Sequence, residues 1–474
     1  MAKATTNVPV EKNQYIELDI TGQGHEGEGI GRYEGFAVFV PGAIRGERVK
    51  AKIVKVQKSF AYGRLLEVLE ASHHRTEPLC PVYHRCGGCH LQHMSYEGQL
   101  EHKQQMVADA LQRIGKFAVR LESAPGGEEG DAIPVYPTLG MQDPWRYRNK
   151  SQVPVGWVDG RIVAGFYAPR THEIIDMEGC PIQHPYSDEI VSRVKRILGD
   201  LRISPYDEAT RKGLVRHIVA RVGFHTDETM VVLVTNGRKI PHIDELVSRL
   251  RDEIPHLVSI IQNVNAAVTN VIFGPDTITL WGKDTIEDRI GDIRFSISAR
   301  SFFQVNPIQT GVLYQKALEY AGLTGDETVI DAYCGIGTIS LFLAQKAKRV
   351  VGVEVVADAI EDAKKNAALN GIENVEFLVG QAEKVIPELY AKRGLRADVV
   401  VVDPPRKGCD EALLQTIVDM QPKRVVYVSC NPSTLARDLR YLEDRGYQTQ
   451  QVQPVDMFPH TFHVECVVSM SLKL

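Results

Sequence analysis

The sequence predicts an α/β protein with a doubly wound, Rossmann-type domain in its last third, behind a small N-terminal β-barrel and a mainly β central part. Three observations predict this. From residue 328 onward, nearly continuous β-branched runs (328–331, 349–354, 375–379, 398–403, 424–429 and 466–470) alternate with helical segments. That is the pattern of strands buried on both faces of a parallel sheet. Residues from Tyr15 to Glu70 instead read as short alternating strands broken by glycines. Finally, 474 residues with 43% hydrophobic and 24% charged content exceed one ordinary core and belong to the globular class. The expected boundaries are 10–71, 72–299 and 300–474.

In the first segment, residues 21–31 are turn-rich, and 36–40 and 48–54 read as strands, a spacing that suits a barrel of oligonucleotide-binding type. Between Pro41 and Arg64, seven cations, Arg45, Arg48, Lys50, Lys52, Lys55, Lys58 and Arg64, cluster against Glu47 alone, in a chain of net charge −5. Affinity for nucleic acid must therefore be local. Lys50 and Lys52 fall on one strand face. A basic edge that blunts strand pairing is the alternative. The segment resembles the TRAM domain, a compact RNA-binding barrel, which implies RNA as the partner.

The central segment opens with Cys80, Cys86 and Cys89 in a C-x5-C-x2-C pattern, and Cys180 follows before Pro181. Four thiolates hold tetrahedral zinc or an iron–sulfur cluster. Three grouped ligands and one remote one favour the cluster over the two close pairs usual for zinc. A helix is expected over Tyr96–Ile114, with the stretch around 96–125 packing on the last domain, and a loop over 126–130. Beyond Pro134 the pattern is mostly β, with an apolar run at 230–235 and a helix near His242–Ile254. Residues 145–150 (Trp145, Arg146, Tyr147, Arg148, Asn149, Lys150) interleave rings with cations, a mixture suited to RNA. No apolar run approaches the ~20 residues that span a bilayer, and no signal peptide is evident, so a cytoplasmic protein is expected.

In the last segment the first strand ends at Asp331 and leads into Tyr333, Cys334, Gly335, Ile336, Gly337 and Thr338. The two glycines permit a tight turn and close approach to a ligand. Glu354 ends the second strand, nineteen residues after Gly335, where a carboxylate accepts from both ribose hydroxyls of an adenosine cofactor. Position 340 is Ser, not the third glycine of a dinucleotide fingerprint, which favours S-adenosylmethionine, a cofactor with no phosphate. A fourth strand ends in Asp403, Pro404, Pro405, Arg406, Lys407 and Gly408. The fifth runs into Cys430, next to a helix start at Asn431–Ser433 expected to favour its thiolate. Glu465 precedes the last strand. A thiolate adding to C6 of uracil makes C5 nucleophilic. A carboxylate of raised pKa then removes the C5 proton. The other second-half cysteines, Cys334, Cys409 and Cys466, read as buried structural residues.

Residues 301–306 (Ser301, Phe302, Phe303, Gln304, Val305, Asn306), 331–338, 403–408, 429–432 and 456–465 together resemble the signature segments of the RNA m5U (uracil-5-) methyltransferase family, over most of the chain. The resemblance implies Cys430 as nucleophile, Glu465 as proton acceptor, cofactor contacts from Gln304, Tyr333, Glu354 and Asp403, and a [4Fe–4S] cluster on Cys80, Cys86, Cys89 and Cys180. It implies an enzyme, acting as a monomer, on large-subunit (23S) rRNA, with tRNA the other substrate. Thr338 stands where several members carry Asn. Phe302 and Phe303 serve either base stacking or the core. Rival chemistries lack their marks: no C-x3-C-x2-C triad for methylthiolation, ProPro at 404–405 where cytosine-5 enzymes carry ProCys, and Arg406 where amino methylases carry an aromatic. A non-catalytic ribosome-assembly factor is the remaining alternative.

Overall fold

The computed structural model describes residues 8–123 and 130–473; most of the predicted 126–130 loop lies outside them. Strands β1 (Tyr15–Gln23), β2 (Gly29–Tyr33), β3 (Phe36–Val40), β4 (Arg48–Val56) and β5 (Phe60–Glu70) form a closed barrel in the order β1-β2-β3-β5-β4. Period-two burial builds it: Ile16, Leu18 and Ile20 of β1 meet Val49, Ala51 and Ile53 of β4 inside. Gly31 is required where β2 crosses β1, because a Cβ there would lie 2.4 Å from Leu18 Cδ1. Lys50 and Lys52 share the outer face with Arg48. Glu47 does not oppose these cations as its position in sequence implied. It is buried, and its carboxylate accepts from Arg75 at 2.5 and 2.8 Å.

Helix α1 (Tyr96–Arg113), capped by Ser95, is followed by the short strands β6 (Val119–Leu121) and β7 (Ile133–Val135). A seven-stranded sheet then runs β10-β9-β8-β11-β12-β13-β14, from β8 (Lys150–Val158), β9 (Arg161–Tyr167), β10 (Ile174–Asp176), β11 (Val215–Val222), β12 (Thr229–Thr235), β13 (Leu257–Val264) and β14 (Asp276–Gly282). Helices α2 (Pro185–Asp200) and α3 (Ile243–Glu253) cover one face, where Val194 and Leu246 join Ile218 and Leu233. The other face, carrying Val219, Met230 and Val232, packs on the hairpin β15 (Thr285–Ile290)–β16 (Ile293–Ser298) and on the last domain. Burial on both faces explains why β12 is apolar without a break from Met230 to Val234.

The last domain follows as α4 (Pro307–Ala321), β17 (Thr328–Ala332), α5 (Thr338–Ala344), β18 (Arg349–Glu354), α6 (Ala357–Leu369), β19 (Val375–Val379), α7 (Ala382–Arg393), β20 (Val399–Val402), α8 (Glu411–Met420), β21 (Arg424–Ser429), α9 (Pro432–Glu443), β22 (Tyr447–Val455) and β23 (Glu465–Leu472). The sheet order is β19-β18-β17-β20-β21-β23-β22-β7-β6, parallel from β19 to β21. Strand order reverses between β17 and β20, so the carboxyl ends of β17, β18, β20 and β21 surround one crevice. The residues before the central sheet thus extend the last domain. Helix α1 packs on α9, and Lys103 meets Asp456 at 2.6 Å with both side chains fully buried.

Candidate functional site

The turn after β17 carries three consecutive demands on the backbone. Tyr333, Gly335 and Gly337 have φ of 69°, 55° and 80°. A Cβ on Gly337 would sit 2.8 Å from the Phe377 ring. Glu354, at the end of β18, is already aimed at this turn, accepting from Gly335 N at 3.2 Å and Val356 N at 2.9 Å. The Ser at position 340 has a structural task. Its hydroxyl donates to the buried Asp331 at 2.5 Å, where burial pushes the carboxyl up to about 7. Thr338 exchanges a hydrogen bond with Tyr314 at 2.9 Å. Gln304 is fixed from behind by Asn149, which donates to its carbonyl at 3.0 Å.

A cleft of about 1510 Å³ opens in front of these groups, and Gln304, Tyr333, Glu354, Asp403, Cys430 and Glu465 all line it. The six residues come from the loop before α4 and from the ends of β17, β18, β20, β21 and the start of β23. Two hydrogen bonds tie the β20 and β21 ends together: Asn431 Nδ2 and Thr434 Oγ1 both donate to Arg406 O. Burial pushes Cys430 up to about 11, with Glu465 and Asp403 adding to the shift and Arg406 opposing it. The expectation that the α9 N-terminus would favour a thiolate is therefore not met in the free site. A buried position facing two carboxyls outweighs the half-charge of a helix end. Glu465 is held well above the usual carboxylate range by burial and by Asp403, again opposed by Arg406. Asp403 is pushed up to about 6 by burial. The remaining second-half cysteines, Cys334, Cys409 and Cys466, are buried, whereas Cys430 is partly accessible.

The aromatic pair before Gln304 divides its labour. Phe303 is 1% exposed and packs on Phe295, whereas Phe302 is 69% exposed and lines the cleft. In the 145–150 segment, Tyr147 is buried, Trp145 stacks on His460 at 3.7 Å, and Arg146 donates to Asp188 at 2.7 Å. Tyr147 therefore serves the interior, Trp145 is partly buried against His460, Arg146 is exposed, and Arg148 lines the cleft. Lys150 is largely buried, and burial, aided by Arg221 and Arg148, pushes it down to about 7.

Sequence reasoning missed Arg406, the one cation that opposes the shifts of both Cys430 and Glu465, although it sits inside a motif already singled out. It also missed His463, which lines the cleft and is pushed down to about 4 by burial, so the ring is neutral.

Cys80, Cys86 and Cys89 lie on the loop between β5 and α1, and Cys180 lies on the loop between β10 and α2. Cys89 is pushed up to about 11 by burial, with Cys86 and Cys80 contributing; Cys180 rises to about 12 by burial, with Cys89 contributing. Gly88 N donates to Cys86 Sγ at 3.3 Å. The two loops thus bring four thiols into one neighbourhood, although among the described residues no three Cys, His, Asp or Glu side chains are gathered tightly enough to hold a metal ion. Gly87, Gly88 and His90 of the same loop line the cleft. Among the described residues no helix is long and apolar enough to cross a membrane.

Comparison with known proteins agrees with this geometry. The tRNA (uracil-5-)-methyltransferase family model matches residues 225–473, and the TRAM domain model matches residues 9–66. An uncharacterized RNA methyltransferase of Halalkalibacterium halodurans is 58% identical over 98% of both chains, and one of Bacillus cereus is 56% identical over 98% of both. Among solved structures, the Pyrococcus abyssi tRNA (uracil-54, C5)-methyltransferase in complex with S-adenosyl-L-homocysteine superposes with a TM-score of 0.75 at 28% identity, covering 96% of this chain and 100% of that one. With its N-terminal TRAM barrel and its Rossmann-like sheet, the chain belongs to the tRNA (uracil-5-)-methyltransferase family, S-adenosylmethionine-dependent enzymes that methylate uracil in RNA.

Proposed function

We propose that this protein methylates C5 of a uridine in RNA, with Cys430 as nucleophile and Glu465 as base. The observation that carries the reading is the meeting of Cys430 and Glu465, each sensing Asp403 and Arg406, in the cleft that also holds Glu354 and the Gly335–Gly337 turn. S-adenosylmethionine supplies an electrophilic methyl on a sulfonium. Glu354 would take its ribose hydroxyls, and Gln304, Tyr333 and Asp403 would hold the rest: all four line the cleft, and Glu354 is already oriented by two amides. Phe302 presents a ring on which an extruded base stacks.

The Cys430 thiol gives its proton to solvent in the open cleft as its sulfur adds to C6, and the C5=C6 electron pair moves toward the O4 carbonyl. That pair returns through C5 to take the methyl group from the sulfonium, whose S–CH3 bond breaks to leave S-adenosylhomocysteine. Glu465 as carboxylate accepts the C5 proton, the C5–H pair closes C5=C6, and the C6–S bond breaks to release the thiolate. Arg406, which stabilises the anionic forms of both groups, is the cation that lets one negative charge exist there at a time.

We further propose large-subunit rRNA as the substrate of a monomeric, cytoplasmic enzyme. The resemblance of the signature segments supports that reading; tRNA is the alternative, because the Pyrococcus abyssi tRNA (uracil-54, C5)-methyltransferase aligns over 96% of this chain. Mapping 5-methyluridine in both RNA pools from cells lacking the protein separates them. A methyl lost from rRNA alone supports the first reading, one lost from tRNA alone replaces it with the second, and no loss removes both.

Cys80, Cys86, Cys89 and Cys180 are proposed to hold a [4Fe–4S] cluster, for which four thiols on two adjoining loops are the fitting donor chemistry. It supplies a cross-link between the loops. Iron and sulfide in anaerobically purified protein are expected; zinc without iron contradicts the assignment.

A further inference from the structure

The cysteine loop does more than line the cleft. His90 N and Leu91 N, immediately after Cys89, both donate to the carbonyl of His460, at 2.8 and 3.0 Å. Gln99, fully buried on α1, completes the clamp. Its Nε2 donates to Leu91 O at 3.1 Å and Met94 O at 2.9 Å, while its Oε1 accepts from His460 N at 2.9 Å. Trp145 stacks on the His460 ring, and Tyr147 donates to Pro459 O at 3.1 Å. The clamped residue has φ of 67°, a left-handed conformation that in a non-glycine residue persists where neighbours hold it. Glu465 lies five residues downstream. Between them Phe462 rests on the His90 ring at 4.5 Å, and His463 lines the cleft.

We propose that the cysteine loop, acting through His460 and Gln99, is a positioning device for Glu465, so that closure of the loop by its thiols sets the rate of C5 proton removal. This rests on Glu465 being the base. Gln99 and His460 touch no reacting atom; they fix the chain at 459–460, from which the 461–464 segment leads into the base at the start of β23. Cys430 follows β21, which the clamp does not touch, so loosening the clamp leaves the adduct free to form and its C5 free to be methylated, while the following proton transfer slows.

The test compares Gln99→Met, Cys89→Ser and Glu465→Gln in the full chain, with RNA bearing uridine or 5-deuterated uridine. The readouts are covalent adduct on denaturing gels, kcat and KM, and amide exchange across residues 458–465. Glu465→Gln must accumulate methylated adduct, and turnover by it overturns the base assignment and this inference together. If it does accumulate adduct, Gln99→Met and Cys89→Ser are expected to exchange faster at 458–465. They should lose kcat on the order of 10²-fold at unchanged KM, accumulate the same adduct, and show a deuterium isotope effect absent from the parent. A merely structural role would lower adduct formation along with turnover and leave the isotope effect unexpressed. Faster exchange with parent-like kcat and isotope effect overturns the inference while leaving the base assignment standing. Should Gln99→Met fail to fold, Cys89→Ser decides by the same readouts.

Discussion

Cys430 and Glu465 divide a charge that neither carries comfortably. With the thiol near 11, the thiolate fraction grows about tenfold per pH unit through the neutral range, so adduct formation measured before turnover should rise with that slope from about pH 7 to 9. A flat profile would place the thiolate in the free enzyme. Glu465 also leaves a stability signature. A carboxyl whose folded pKa is raised disfavours the folded state once pH exceeds its unfolded value, near 4.5, and the penalty grows as pH climbs toward the folded value. Glu465→Gln should therefore raise the melting temperature at pH 8 and leave it unchanged at pH 3, as calorimetry at the two values will show. The neighbouring phenylalanines give opposite outcomes. Phe302→Ala should weaken RNA binding by about 1–3 kcal/mol with stability intact; Phe303→Ala should cost about 3–5 kcal/mol of folding stability. At this scale the proposed nucleophile and base could be singled out because their motifs are short and chemically demanding, and the structure sets both in one cleft. Arg406 and His463 were not, since a charge or a neutral ring acquires its role only from what the fold sets opposite it.

Elements fix where those residues meet. The β17–α5 turn accepts only glycine at 337, so Gly337→Ala should weaken S-adenosylmethionine binding measured by calorimetry, through both the left-handed φ and the clash with Phe377. Unchanged affinity would separate the turn from the cofactor. Helix α1 is joined to the last domain by Lys103–Asp456, a fully buried ion pair. Lys103→Met strands the carboxylate and should cost about 3–5 kcal/mol in denaturant unfolding. The alternating sheet was readable from its β-branched runs, and α1 ended at Arg113, one residue before the predicted Ile114. The burial of Tyr147 and the turning inward of Glu47 were not readable, because each depends on a partner, Pro459 or Arg75, distant in sequence.

The chain carries a net charge of −5, and its barrel gathers cations locally along β4. Lys50, Lys52 and Arg48 share one outer face of β4 with Glu47 withdrawn, so a double Lys50→Gln, Lys52→Gln variant should lower RNA affinity across sequences and flatten its dependence on salt. An unchanged slope would assign the barrel to another task. In the proposed mechanism, barrel, central sheet and nine-stranded sheet serve one event, the transient bond between Cys430 and a pyrimidine ring. RNA with 5-fluorouridine at the target, whose C5 substituent Glu465 cannot remove, measures that event directly. With cofactor present, a covalent protein–RNA species should persist through a denaturing gel and vanish in Cys430→Ala; if the parent protein yields no such species, the account is contradicted.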